Sequence, residues 1–341
     1  MSNSVSLVTG AAGFLGQTLV KRLLSESESV RAVVLPNDPR KEELRSWAGD
    51  ADLRVLECDV TDASALDGAF AGVTRVFHTA ALIHAWAPWE RFRAVNVGGT
   101  RNVAECALRH GVERMVHVST TDVFGLPDEN EAFDENSPFQ SWGEPYADTK
   151  IEAERWLWDF HQANEFPLTV IYPGWVFGPG DAAFFPSLAQ AISDGVMLFW
   201  QRDVRLPWAY VDNLADACLV ASRHPAAVGS GYIVHDDSNG PTLQQVCARI
   251  ANVLGKAPPT RHVPYSAAYA AAWTLQRIWR VARLRATPPL LTVDVKAFGL
   301  RWNLSTKKAR RELGWSPKTP MAEAMDMALQ SLNERLRRSY A

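Results

Sequence analysis

Tyr146 and Lys150 stand four residues apart in the segment Y-A-D-T-K. On a helix that spacing puts them on one face, a turn apart. An ammonium so placed favours the phenolate and draws a tyrosine pKa down from about 10 towards the working range. Such a tyrosine can give a proton to a carbonyl or take one from an alcohol. A hydroxyl from Thr120, in S-T-T-D (119–122), could hold the same oxygen by a hydrogen bond. Taken alone the pair is common by chance, and its plain reading is a solvated helix pair. It becomes specific only with a nucleotide site upstream and a Ser or Thr at the intervening strand end. Residues 5–16, V-S-L-V-T-G-A-A-G-F-L-G, have that pattern, with Gly10, Gly13 and Gly16 spaced T-G-x-x-G-x-x-G. Glycines let the backbone approach a pyrophosphate, and a helix N-terminus offers free N–H groups and a positive dipole end. Glycine also serves ordinary tight turns, so the place between strand and helix is what favours a dinucleotide.

The elements that must position these groups alternate. Val5, Leu7 and Val8 read as a buried strand, and 18–24 as the helix after it. Strands follow at 30–35, 53–56, 73–77, 115–118 and 168–172, with a late one at 232–234. Helices are expected near Ala63, from Asn96 to about His110, from Tyr146 to about Asn164, and over 213–222. Thr61 or Asp62 caps the helix near Ala63, which leaves Asp59 free at a strand end to accept from an adenine amino group. The fold class is therefore α/β: a doubly wound parallel sheet with helices on both faces and a smaller, mostly helical C-terminal part. Gly10, Asp59, Ala80 and Thr120 all fall at carboxyl ends of strands, the edge where such sheets bind ligands. That convergence is stronger than any one motif. The division expected is 1–177 for the dinucleotide, with return segments at about 209–235, and 178–208 plus 236–341 for the substrate.

Composition excludes several classes. The chain has 341 residues, is 47% hydrophobic and 21% charged, and carries a formal net charge of -3 with no long run of one sign, so nucleic acid is not an expected partner. Four dispersed cysteines show no C-x-x-C pair, and the eight histidines no metal spacing, so no metal site and reduced thiols in a cytoplasmic protein are expected. The first strand starts too early for a signal peptide before it, and no apolar run is long enough to span a bilayer. Val34, Leu35 and Pro36 stand where an acid would bind ribose hydroxyls or an arginine a 2′-phosphate. The cofactor is thus NAD or NADP. A missing cation hurts a phosphate more than a missing acid hurts a hydroxyl, which leans towards NAD, while Arg40 or Lys41 could fold back and reverse this.

The chain resembles an extended short-chain dehydrogenase/reductase. The matching motifs are T-G-A-A-G-F-L-G (9–16), Asp59-Val60, H-T-A-A (78–81), N-V-G-G-T (96–100), S-T-T-D-V-F-G (119–125), Y-A-D-T-K (146–150), P-G-W-V-F-G-P-G (173–180) and Y-V-D-N-L-A-D-A (210–217). The segment 301–317 is similar to the family's C-terminal part. The resemblance implies a Rossmann-type sheet and Thr120, Tyr146 and Lys150 as the catalytic set. It implies Gly10, Gly13, Phe14, Leu15, Gly16, Asp59, Val60, Ala80, Ala81, Tyr146, Lys150 and Pro173 around the cofactor. The family holds oxidoreductases, epimerases and dehydratases, and departures discriminate among them. Sugar-nucleotide members carry Arg-Asp where Leu206 and Pro207 stand. Dehydratases carry Asp-Glu after the catalytic threonine, where Thr121 and Asp122 stand. Asp122 could still act as an acid.

The aromatic loop 80–90 and the segment 264–279 resemble instead the 3β-hydroxysteroid dehydrogenase and dihydroflavonol reductase-like branches. The reading is an NAD(P)-dependent alcohol dehydrogenase/ketoreductase acting on an apolar, cyclic small molecule, with His84, Trp86, Trp175 and Trp200 at the substrate. The alternatives are a sugar-nucleotide epimerase or dehydratase and a non-catalytic NAD(P) sensor. The resemblance also implies a homodimer through helices 97–110 and 146–164. Residues 264–284 place aromatics and arginines at helical spacing. That fits a core-facing helix, a roof over the substrate cleft or, least well, peripheral membrane contact.

Overall fold

The computed structural model describes residues 4–49, 52–83, 86–126, 132–200, 204–236, 240–284, 286–299 and 302–340. In chain order the strands are β1 (Val5–Thr9), β2 (Ser29–Val34), β3 (Leu53–Glu57), β4 (Arg75–His78), β5 (Arg114–Val118), β6 (Leu168–Pro173), β7 (Trp175–Phe177), β8 (Trp208–Tyr210) and β9 (Ser230–Val234). Seven form one sheet in the order β3-β2-β1-β4-β5-β6-β9, and every pairing is parallel. Parallel strands covered on both faces read as unbroken apolar runs, and β6 (L-T-V-I-Y-P) is buried along its whole length. Successive side chains point to opposite faces. Leu7 therefore enters the core covered by helices Thr100–Arg109 and Pro145–Asn164, and Val8 the core covered by helices Phe14–Ser25 and Val211–Arg223.

A third core gathers Phe177, Phe185, Trp208 and Tyr210 with helices Phe184–Ser193, Leu243–Val253 and Met321–Tyr340. Strands β7 and β8 pair beside it, Trp175 opposite Trp208. Three-residue strands are too short to show a period, so the motif at 173–180 gave no sign of one.

The helix expected to open at Asn96 begins earlier. A turn at Trp89–Phe92 runs into a π-helical stretch, Arg93–Gly99, and then into Thr100–Arg109. Asn96 is buried. It accepts from the Leu82 N–H at 2.7 Å and donates to the Leu82 carbonyl and the Thr149 hydroxyl. Gly99 is needed at the seam, because a Cβ there would lie 2.6 Å from Val60 Cγ2. A π-turn of this kind marks a functional site in many helices. At the sheet's outer edge, the Glu135 carboxylate accepts the Ile233 N–H of β9 at 2.8 Å. All four cysteines are buried and unbridged. Among the described residues, no helix is long and apolar enough to cross a membrane.

Candidate active site

The turn after β1 is built by contact. Gly10 has a φ of +66°, and a Cβ on it would lie 2.8 Å from the backbone of Ala80; one on Gly16 would lie 2.2 Å from the Gly10 carbonyl oxygen. Gly13 starts the helix Phe14–Ser25 with no side chain bonded to the first-turn N–H groups. Those groups are therefore open to an anion at the positive end of the helix. Ala80 meets this turn from the end of β4, with Ala81 next in the chain, while Asp59 and Val60 follow β3, two strands away in the sheet. Asp62, not Asp59, caps the helix Ala63–Asp67, while the Asp59 carboxylate accepts from the N–H and hydroxyl of Thr61.

Thr120 follows β5, and Tyr146 opens the helix Pro145–Asn164 beside it. Thr120 Oγ1 accepts the Asp122 N–H at 3.2 Å, and the Thr120 hydroxyl also bonds the side chains of Tyr146 and Asp122. Burial pushes the Asp122 carboxyl up to about 6. The Tyr146 hydroxyl is pushed well above its ordinary value, first by burial and then by the Asp122 charge, with the Thr120 bond working the other way. The expectation that Lys150 draws Tyr146 down is not met by this geometry. The Lys150 ammonium turns into the sheet, donating to the Val118 carbonyl at 2.8 Å and to His117 Nε2 at 3.3 Å.

Burial lowers Lys150 to about 8, and Glu154, one turn further along the helix, opposes the fall. Glu154 is itself buried, accepting from Ser119 Oγ at 2.6 Å, Trp158 Nε1 at 3.1 Å and the Tyr172 hydroxyl. Beneath Lys150 the rings of His117 and His78 lie 5.3 Å apart. Thr100 donates its hydroxyl to the Asn96 carbonyl at 2.6 Å, so it accepts from His78 Nε2–H at 3.0 Å. His78 Nδ1 then accepts the Thr9 hydroxyl at 2.7 Å, which fixes the tautomer. Burial, then the Lys150 charge, pushes His78 down to about 3, and His117 falls for the same reasons. Both rings are neutral, and a bonded chain runs from the glycine turn at Thr9 to the helix at Thr100. Sequence reading singled out none of Glu154, His78 or His117. For Glu154 the signal was the recurrence of polar residues every fourth position at 146, 150 and 154, and for His78 its place at the head of the H-T-A-A motif.

At the end of β2 the cations are engaged. Arg40 pairs with Asp38 at 3.4 Å, and Lys41 and Arg45 both reach Glu57 at 2.9 Å. The expected substrate residues separate. Trp175 packs with Trp142, Ala147, Ala297 and Trp302, beside the start of the Tyr146 helix, and its ring meets Phe184 and Phe298. Trp86 donates its Nε1–H to the Leu284 carbonyl at 3.2 Å. Trp200 is tied down in the helical part, donating to the Val295 carbonyl at 2.9 Å. His84 lies outside the described residues. A depression of about 410 Å³ lies elsewhere, between Glu135, Trp158, Tyr172 and Lys308. No residue of the cofactor edge lines it, so the site rests on convergence of groups and not on cavity size.

A family model described as NAD dependent epimerase/dehydratase family matches residues 6–235. The chain belongs to that family. A 2-alkyl-3-oxoalkanoate reductase of Stenotrophomonas maltophilia is 29% identical, over 94% of this chain and 96% of its own length. A 3 beta-hydroxysteroid dehydrogenase/Delta 5-->4-isomerase of Mycobacterium tuberculosis is 28% identical, over 95% of this chain and 89% of its own. The crystal structure of gox2253 matches at a TM-score of 0.79 and 26% identity, covering 98% of this chain and 99% of that one. Membership of this extended short-chain dehydrogenase/reductase family, with dehydrogenase and reductase relatives, supports an oxidoreductase. The family match ends at residue 235.

Proposed function

We propose that the protein is an NAD(P)-dependent alcohol dehydrogenase/ketoreductase for a secondary alcohol or ketone of a bulky, apolar, cyclic substrate. The observation that carries this is the meeting of Thr120, Tyr146 and Lys150 at the same sheet edge as the glycine cradle. The cradle fits a dinucleotide, since the spaces at Gly10 and Gly16 admit only backbone and the first-turn N–H groups lack a cap. Gly10, Gly13, Phe14, Leu15 and Gly16 would hold the diphosphate, with Asp59, Val60, Ala80 and Ala81 at the adenosine end and Tyr146, Lys150 and Pro173 at the other. A bound nicotinamide supplies or accepts the hydride. Thr120 orients the substrate oxygen and Tyr146 holds the proton exchanged with it. Lys150, fixed by Val118 and His117, keeps a positive charge one turn below.

Residues 1–177, with 209–235, would form the cofactor half, and 178–208 with 236–341 would shape the substrate. Trp175 in its aromatic cluster and Trp86 favour an apolar substrate, a preference in keeping with the steroid and alkanoate names of the relatives. The engagement of Arg40 and Lys41 by acids supports NAD over NADP. Val103, Cys106, Ala107, Ala153 and Leu157 are spent on the core; Trp156 and Phe160 are half-buried against it and Leu108 is exposed, so these three offer what apolar surface the helices have for a homodimer. Asp122, raised to about 6 beside Thr120, favours the epimerase or dehydratase reading as second choice.

The test is turnover of cyclic alcohols and ketones with each cofactor, set against nucleotide sugars. A higher kcat/KM for the apolar compounds, with net change of cofactor redox state, is expected. A nucleotide sugar as the better substrate would overturn the proposal.

A further inference from the structure

The helix Tyr265–Val281 buries the wrong residues for a core helix. Its buried positions are Ala268 and Ala272, packed on Val295, and Gln276; Tyr269, Leu275 and Trp279 are half-buried, while Trp273, Ile278 and Val281 point outward. Trp273 and Ile278 are 50% exposed, and Val281 is 85% exposed. Leu284 continues this surface at 43%. An apolar face of this kind on a folded domain marks a contact site. Its charge says with what. From 238 to 293 the sequence has no Asp or Glu but seven Lys and Arg, in a chain whose net charge is -3. Arg277 stacks on Trp273 at 4.9 Å and Arg280 on Trp86 at 5.7 Å. Glu144 feels the Arg280 charge but is held by Thr292 and Lys296.

We propose that this outward face docks on an anionic lipid bilayer. Tryptophan, isoleucine and valine would enter the headgroup boundary, with Arg277 and Arg283 reaching lipid phosphates. The helix lies in the surface and does not cross it. A second copy of the chain is a poor occupant, because a two-fold axis would set one cationic patch against its twin. The inference is independent of the substrate assigned above.

The experiment is flotation of the full chain with vesicles of phosphatidylcholine alone and of phosphatidylcholine with phosphatidylglycerol. The wild type should float with the anionic vesicles, not the neutral ones, and less as salt rises. Ile278→Glu with Val281→Glu should remain unbound. The milder pair Arg277→Gln and Arg283→Gln, which leaves the apolar face intact, should weaken partition by roughly tenfold or more. Melting temperatures near wild type show that the variants fold. A wild type that ignores anionic vesicles overturns the proposal. So do variants that float as well as it does, or a wild-type mass by light scattering that Ile278→Glu with Val281→Glu halves.

Discussion

The helices Pro145–Asn164 and Tyr265–Val281 carry the same helical period with opposite meaning. The first buries its chemistry: Lys150 and Glu154 are inside, each wired to named partners. The second buries two alanines and exposes Trp273, Ile278 and Val281. A period of 3.6 locates a stripe but not the side it faces. Burying charge is tolerable only where partners meet it. Small alanines let a helix approach Thr292–Ala297 closely and leave Trp273, Ile278 and Val281 outside.

Four changes would break or sharpen the contrast. Tyr146→Phe should lower kcat by about 10²–10⁴-fold while cofactor binding, read by titration, persists; near wild-type turnover would sink the role of that helix in chemistry. Leu157→Ala, in the buried face, should cost about 2–5 kcal/mol in denaturant unfolding, whereas Ile278→Ala should stay within about 0.5 kcal/mol. Equal losses would mean that the second helix is packed after all.

Acid should expose the buried histidines. His78 has a folded pKa of about 3 against an ordinary 6.5. Between those values the unfolded chain binds a proton that the fold refuses, so stability is lost as pH falls through that window, at about 1.4 kcal/mol per unit for one such group. His117 adds in the same direction. A flat unfolding free energy from pH 6.5 to 4 would contradict the neutral, bonded rings. The smallest expected effect is at Glu154. The charged or titratable groups placed around Lys150 are His117 and His78 from the sheet and Glu154 from its own helix. In Glu154→Gln the opposition to its lowered pKa is gone. The high-pH limb of activity should then move down by about one unit, and Glu154→Asp should restore part of it. An unmoved limb would leave Glu154 a merely structural residue.

Much of this was legible beforehand because parallel strands and glycine turns are local signals. Gly10, Thr120 and Tyr146 each sit at a strand end or helix start that their own neighbours announce. The wiring beneath Lys150 was not legible, since His78 and His117 come from strands about forty residues apart and read as ordinary strand residues. The orientation of Tyr265–Val281 was illegible for another reason. Its sequence suits a core, a roof or an interface, and only what packs against Ala268 and Ala272 chooses among them.

Glu135 has a consequence for crowded solution. β9 ends the sheet, and an end strand with open N–H groups is a template on which another chain can polymerise. By spending its carboxylate on the Ile233 N–H, Glu135 caps one rung of that template with a negative charge. A foreign strand seeking to extend the sheet must first displace it, so the loop that leads to the helix Pro145–Asn164 also guards against aggregation.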